Sequence, residues 1–404
     1  MIVPADWTPD NSIIKVIGVG GGGCNAVTYM YNQEIQGCSF IICNTDSQVL
    51  QKSNVPIKIQ MGAGLGAGTD PIAGRNAALE SQDEIRDKIL NTNTKMLFIT
   101  AGMGGGTGTG ASPVIAKLAR DAGILTVAVV TIPFRNEGNE SHAKAIDGIR
   151  ELEQNVDSLL LIDNQKLYEH YGNTMIQDAF PMADDVLATA VRGIIEIINK
   201  PGFINVDFRD VTNMMRDSGK SLMGCGTGTG ESRLEDAVKQ AFEYPLLSDY
   251  DLKTAKNLLI NITAGNNAKG LLMKDLSKID TLIENYVGSA NKFKRGIILE
   301  DDPDFADRVN ITAIATGIDI RVEDINDMSN NIIVIDENFT YEDRHQSDGE
   351  EISLPTTPYV HVVGSNSSDN QPHFNYTEKP VLCVGPGDNL SGLENTSAYK
   401  RSKY

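Results

Sequence analysis

The residues best placed to do chemistry lie in Gly102-Met103-Gly104-Gly105-Gly106-Thr107-Gly108-Thr109-Gly110. Six glycines in nine residues lower the stability of a loop through chain entropy, so the composition asks for a reason. The apolar run Met96–Ala101 before it reads as a buried parallel strand, and Pro113–Ala119 after it has helical periodicity. A strand, a glycine turn and a helix start, in that order, make an anion site. Backbone N–H groups converge there, the helix dipole adds positive potential, and the threonine hydroxyls add donors. The same design recurs twice. Gly18, Gly20 and Gly23 fit the dinucleotide fingerprint on the turn Gly20-Gly21-Gly22-Gly23-Cys24-Asn25, and Gly62–Gly68 leads to Pro71, a suitable first residue for a helix. One such turn serves an ordinary dinucleotide enzyme. Three converging on one crevice point to a polyphosphate wrapped on several sides, with tight turns that hold no ligand as the plain alternative.

Those turns need a framework, and the hydrophobic pattern supplies it. Strands are expected at Ile13–Val19, Phe40–Asp46, Val55–Gln60, Met96–Ala101, Leu125–Ile132 and Ser158–Asn164, alternating with helices. The helices include Ala26 to about Gln33 and Pro71 to about Leu90. This repeat, running to about Tyr171, implies a three-layer Rossmann-like α/β domain with its ligand crevice at the carboxyl ends of the strands. Asn44 and Asp46 end the second strand there and can meet a ribose or phosphate; equally, Asp46 or Ser47 can cap the helix that follows. The fifth strand runs into the polar loop Pro133–Ser141, which carries Arg135 and Glu137. A long amphipathic helix is expected over Met175–Asn199, ended by Pro201-Gly202, and a shorter one follows Asn205–Asp210. Asp207 there fits an N-cap and Asp210 a first-turn acid. Strands Asn257–Thr263, Lys292–Leu299 and Asn310–Ile318 with a helix Leu271–Tyr286 read as a smaller α+β domain.

Two glycine-containing segments are weaker candidates. Ser218-Gly219-Lys220-Ser221 ends like a P-loop, but Met214 stands where that motif needs its first glycine. Gly224–Gly230 echoes the central loop outside the repeat and reads as a structural turn before a helix near Glu231.

At 404 residues the chain is expected to form two domains, and a net charge of -19 disfavours nucleic acid as a partner. The first residues lack a signal-peptide pattern and no apolar run is long enough to span a bilayer, so no direct membrane insertion is expected. Five cysteines without paired spacing favour a reducing cytoplasm, and the scattered histidines argue against a dedicated metal site. From about Arg321 the pattern decays into a polar stretch read as mostly disordered linker, ending in the basic-aromatic Ser397–Tyr404. That end is a tail or a docking peptide.

Taken together, Gly104-Gly105-Gly106-Thr107-Gly108-Thr109-Gly110, the turn Gly20–Asn25 and the spacing Asn205-x-Asp207-Phe208-x-Asp210 resemble the tubulin/FtsZ family of division GTPases, over roughly residues 12 to 320. Phe180-Pro181-Met182-Ala183-Asp184 resembles that family's guanine-facing start of the central helix. The resemblance implies a tubulin/FtsZ-like fold: a GTP-binding domain at 12–173, a central helix at 174–200, a C-terminal domain at 201–320, a linker at 321–392 and a docking peptide at 393–404. It implies that GTP or GDP meets Gly20, Gly21, Gly22, Gly23, Cys24, Asn25, Asn44, Gly68, Gly104, Gly105, Gly106, Thr107, Gly108, Thr109, Glu137, Ser141, Asn164, Phe180 and Asp184. Mg2+ would be held mainly by phosphates and water. It implies head-to-tail filaments in which Asn205, Asp207 and Asp210 act on the neighbouring subunit's nucleotide, scaffolding division at mid-cell. Partners through the tail would be membrane-tethering or regulatory division proteins.

Three departures stand out. Family members carry an arginine a few residues after the Glu-Gly of the fifth-strand loop, and here that position is Ser141. The loop feeding Gly62–Gly68 is about four residues short, and the tail lacks the proline of the family's docking peptide. The rival readings are a GTP-binding filament protein with weak turnover and, from Gly18, Gly20 and Gly23, a dinucleotide-dependent oxidoreductase.

Overall fold

The computed structural model describes residues 12–90, 93–165, 176–200, 202–243, 252–267, 270–288, 292–318, 332–335 and 359–362. The chain divides into two units, Met1–Ile320 and Arg321–Tyr404. In the first unit the strands are β1 (Ile14–Val19), β2 (Ser39–Asn44), β3 (Ile57–Gln60), β4 (Met96–Gly102), β5 (Leu125–Ile132), β6 (Ser158–Asp163), β7 (Gly219–Thr229), β8 (Asn257–Gly265), β9 (Lys292–Glu300) and β10 (Arg308–Thr316). They form one sheet in the order β3-β2-β1-β4-β5-β6-β7-β10-β8-β9. The first six are parallel, and β1, β2 and β5 are buried along their whole length. Continuous apolar runs rather than alternation are what a sheet covered on both faces requires.

The helices are α1 (Gly20–Asn32), α2 (Ser47–Lys52), α3 (Pro71–Glu80), α4 (Gln82–Ile89), α5 (Gly106–Asp121), α6 (Asn139–Asn155), α7 (Ile176–Asn199), α8 (Phe208–Met215), α9 (Arg233–Glu243) and α10 (Met273–Val287). Helix α7 buries Leu187, Val191, Ile194 and Ile195. These join Val27 and Met30 of α1, Val127 and Val129 of β5, and Met214 and Ile314 from the later strands and helices in one core cluster. A single core thus holds both halves of the unit around the central helix.

The first six strands and the last four fall in the two regions expected as domains, and one sheet runs through both, joined where Ser158–Leu160 of β6 pair in parallel with Gly219–Ser221 of β7. Other expectations change. Gly224–Gly230 is not a turn but lies largely in the long strand β7, and the next helix starts at Arg233. Its glycines serve packing: side chains at Gly226 and Gly228 would strike the carbonyls of Ala237 and Arg233 on α9. Ser221 of the apparent P-loop ending is a fully buried β7 residue, its hydroxyl 2.7 Å from that of Ser158. The helix expected from Pro71 to Leu90 is two helices meeting at Ser81, whose hydroxyl receives the Gly62 N–H at 3.4 Å. Helices α1 and α5 begin inside the glycine turns rather than after them.

In the second unit β11 (Ile332–Ile335) and β12 (Tyr359–Val362) pair in parallel within the stretch read as linker. Their β-branched and aromatic composition suits a strand. The docking peptide expected at 393–404 lies outside the described residues.

Candidate functional site

Every glycine turn follows a parallel strand at its carboxyl end: β1 to α1, β3 to α3 and β4 to α5. The turns are pressed together. Gly20 has φ of +72°, and a Cβ there would lie 2.7 Å from the Gly108 nitrogen. A Cβ at Gly22 would come within 3.4 Å of Gly102, and one at Gly106 within 2.8 Å of the Asp70 backbone. Gly104, with φ of +99°, abuts the Ser141 hydroxyl. Side chains at Gly21, Gly68 and Gly105 would meet nothing among the described residues within 4 Å. So the first group lets main chains touch, and the second leaves main chain open to a ligand.

The helix ends set the electrostatics. Asp46, Asp70 and Asp207 cap α2, α3 and α8 through the N–H groups of Gln48, Ile72 and Asp210. By contrast α1 and α5 have no side-chain cap and no acid in their first turns. Two helices therefore aim unsatisfied N–H groups and positive dipole ends at the cleft the turns enclose. This is a cradle for an extended anion. The threonines are fixed rather than free: the Thr107 and Thr45 hydroxyls lie 2.7 Å apart, and the Thr109 hydroxyl receives the Gly104 N–H at 2.8 Å. They shape the loop, and Thr45 was not singled out by its sequence.

Around this cradle the remaining candidates divide. Asn44 is buried at the end of β2, its Oδ1 receiving the Asp46 N–H at 3.1 Å. The cap reading of Asp46 is the one observed. The Cys24 thiol is turned inward to the carbonyls of Gly18 and Cys43, and burial pushes its pKa up to about 12. It offers a backbone N–H, not a thiolate. Asn25 lies in the next position of α1. Glu137 is folded back, its carboxylate taking the Phe134 N–H at 2.8 Å. Ser141 lies in the first turn of α6. Asn164, just past β6, keeps a buried Oδ1 with no hydrogen-bond partner among the described residues. Such a group costs free energy until a ligand donates to it. Asp184 is half-buried on α7, and desolvation raises its carboxyl pKa to about 6. Phe180 lies four residues earlier on α7, its side chain outside the described residues.

Asn205, Asp207 and Asp210 are elsewhere. They follow the far end of α7, whose 24 residues span roughly 36 Å. Asn205 Oδ1 holds the Gly202 N–H at 2.6 Å, and Ile204 bridges to Ile297 of β9, at the sheet edge opposite β3. Lys294 pairs with Asp210 at 2.8 Å, which holds the lysine ammonium above its usual range. Lys144 of α6, also missed in the sequence, donates to the Thr69 carbonyl at 3.1 Å and pairs with Glu140 at 2.6 Å. Its only local signal was the Glu140/Lys144 spacing of four residues.

Comparison with known proteins agrees with this geometry. Residues 13–172 match the model of the tubulin/FtsZ family, GTPase domain, and residues 219–319 that of the FtsZ family, C-terminal domain. The cell division protein FtsZ of Pseudomonas putida is 46% identical over 323 residues, covering 79% of each chain. That of Wigglesworthia glossinidia brevipalpis is 42% identical over 399 residues, 96% of this chain and 100% of the relative. The solved structure of an empty FtsZ dimer from M. jannaschii superposes with a TM-score of 0.69 at 36% identity, over 76% of this chain and 89% of that one.

The contact between turns gives a direct test. Gly20→Ala must either adopt a left-handed conformation at about 1–2 kcal/mol or part the two turns, so triphosphate binding should fall at least roughly tenfold. Isothermal titration with circular dichroism as a folding control checks this; unchanged affinity would contradict the cradle.

Proposed function

Since the chain belongs to the FtsZ family of tubulin-like GTPases, we propose that it is a filament-forming GTPase of bacterial cell division whose hydrolytic site is completed between two subunits. The observation that carries this reading is the separation of two halves of one chemistry. The uncapped ends of α1 and α5 form an anion cradle with no acid in the first turn of either helix, and the acids that could direct water stand beyond the other end of α7. A head-to-tail contact brings the acids of one subunit to the cradle of the next. Such a contact does not close, so it propagates as a filament. The dimer of the M. jannaschii relative supports self-association.

The residues divide the work. Backbone N–H groups of Gly20–Asn25 and Gly104–Thr109, with Gly68, hold the phosphates. Asn44 meets the ribose, while Asn164, Phe180 and Asp184 read the base. Guanine offers two adjacent donors, which a carboxylate, as an acceptor-only group, takes together. Adenine leaves it poorly paired. Glu137 braces the loop before α6, and Ser141 faces the phosphates from that helix. A Mg2+ ion would take phosphate oxygens and water as ligands, because Glu137, the acid of that loop, is already engaged with its own backbone. It would supply charge neutralisation. Water attacks the γ-phosphorus as the bond to the β-phosphate oxygen breaks, and Asp207 and Asp210 of the neighbouring subunit orient the water. The cap held by Asp207, the ion pair held by Asp210 and the Asn205 bond to Gly202 keep that loop in one shape. Ser141 in place of arginine favours a slow variant of this chemistry. Through the tail, partners that tether the filament to the membrane would fix it at mid-cell in the cytoplasm.

Two outcomes are expected. Guanine donors favour the ionised Asp184, so its pKa drops on binding from about 6 in the free protein. Affinity is then full above that value and falls as pH drops through it, with proton release on binding near pH 6. Titrations in buffers of different ionisation enthalpy measure this, and Asp184→Asn should abolish it; a flat pH profile in the native chain would refute the assignment. Turnover per molecule should also rise steeply with protein concentration, and Asp210→Asn should bind GTP and assemble yet hydrolyse at least about tenfold more slowly. Phosphate release across a dilution series decides, since a constant turnover number would exclude a shared site.

A further inference from the structure

The arginine absent at Ser141 leaves the question of which cation faces the terminal phosphate. Lys144 sits three residues further along α6, on the same helical face as Ser141. Ser141 abuts Gly104 of the central phosphate loop, and Lys144 donates to Thr69, the residue after Gly68 in the third glycine loop. Thr69 is itself held at φ of +63°, a conformation that L side chains rarely adopt. The lysine therefore lies between two of the loops that enclose the cradle, tying the strained carbonyl of one to the helix that lines the other.

We propose that Lys144 is the cation of this chain that faces the terminal phosphate of a nucleoside triphosphate, supplying from the next turn of α6 the charge that Ser141 lacks. The inference rests on the cradle being a nucleotide site, and not on the sharing of the site between subunits. Its side chain is 24% exposed, so the ammonium is partly shielded from water, whereas its partner Glu140 is 84% exposed. An ion pair of that exposure is weak, and a phosphoryl group carrying about two negative charges outcompetes it. Release from Glu140 leaves the bond to Thr69 in place, so one side chain joins the third loop to the γ-phosphate. A diphosphate offers no such partner. Lys144 thus distinguishes the nucleotide before hydrolysis from the one after it.

The test measures GTP and GDP affinity separately, below the assembly threshold, for the native chain, Lys144→Met and Lys144→Arg. Lys144→Met should weaken GTP roughly fivefold or more while GDP changes less than twofold, and Lys144→Arg should restore the ratio. In the Lys144→Met background, Ser141→Arg should recover GTP preference, since it returns a cation to the same place. Equal weakening of both nucleotides would make Lys144 a loop brace only, and no change would remove it from the site; either result overturns the proposal. Failure of the native chain to bind either nucleotide would instead refute the nucleotide site itself.

Discussion

The structure depends on main chains approaching closely enough that no Cβ fits between them. Gly20 against Gly108, Gly22 against Gly102 and Gly106 against Asp70 lock three strand-to-helix turns into one wall. The N-cap residues, Val19 and Gly105, carry no polar side chain, so no cap reaches the first turns of α1 and α5, and their N–H groups stay unsatisfied. Unmet donors and two dipole ends are a standing demand for negative charge. On the proposed reading, the polyphosphate that meets this demand is part of what makes this corner of the fold stable, as well as the substrate. The sheet serves the same end, since parallel strands buried on both faces deliver all the turns to one edge.

The central helix sets the second constraint. It is packed into the common core from Leu187 to Ile195 and so cannot swing its far end towards the cradle. Acids that follow it are held by local bonds: Asp207 to the Asp210 N–H, Asp210 to Lys294, and Asn205 to Gly202. On the proposed reading, a rod with the nucleotide at one end and fixed acids at the other completes its chemistry with a second copy, which would make hydrolysis and assembly one event. Lys294 eases that event, because two bare carboxylates approaching a polyphosphate would be repelled, and the lysine offsets one of them.

Much of this was legible in the letters. Glycines clustered after apolar runs lie in the turns that enclose the cleft, and Asp207 and Asp210 lie where the helix cap and first-turn acid were expected. The long apolar periodicity before them gave α7 to within a residue at its start. Composition failed where the same letters serve another end. Gly226 and Gly228 resemble the central loop, yet they lie in a strand and admit the backbone of α9, which only the packing reveals. Lys144 escaped because its meaning depends on Thr69, 75 residues away in sequence. The raised pKa of Asp184 likewise depends on burial that no local window contains.

The central claim is that one subunit's acids serve another subunit's nucleotide. It is tested most directly by mixing two impaired variants, one weakened in GTP binding through Gly20→Ala and one lacking the acid through Asp210→Asn. The first contributes intact acids and the second an intact cradle. The account predicts that the mixture hydrolyses GTP above the sum of the separate proteins, with a maximum near equal proportions. A mixture no more active than its components, under conditions where the two co-sediment in the same filaments, would contradict it.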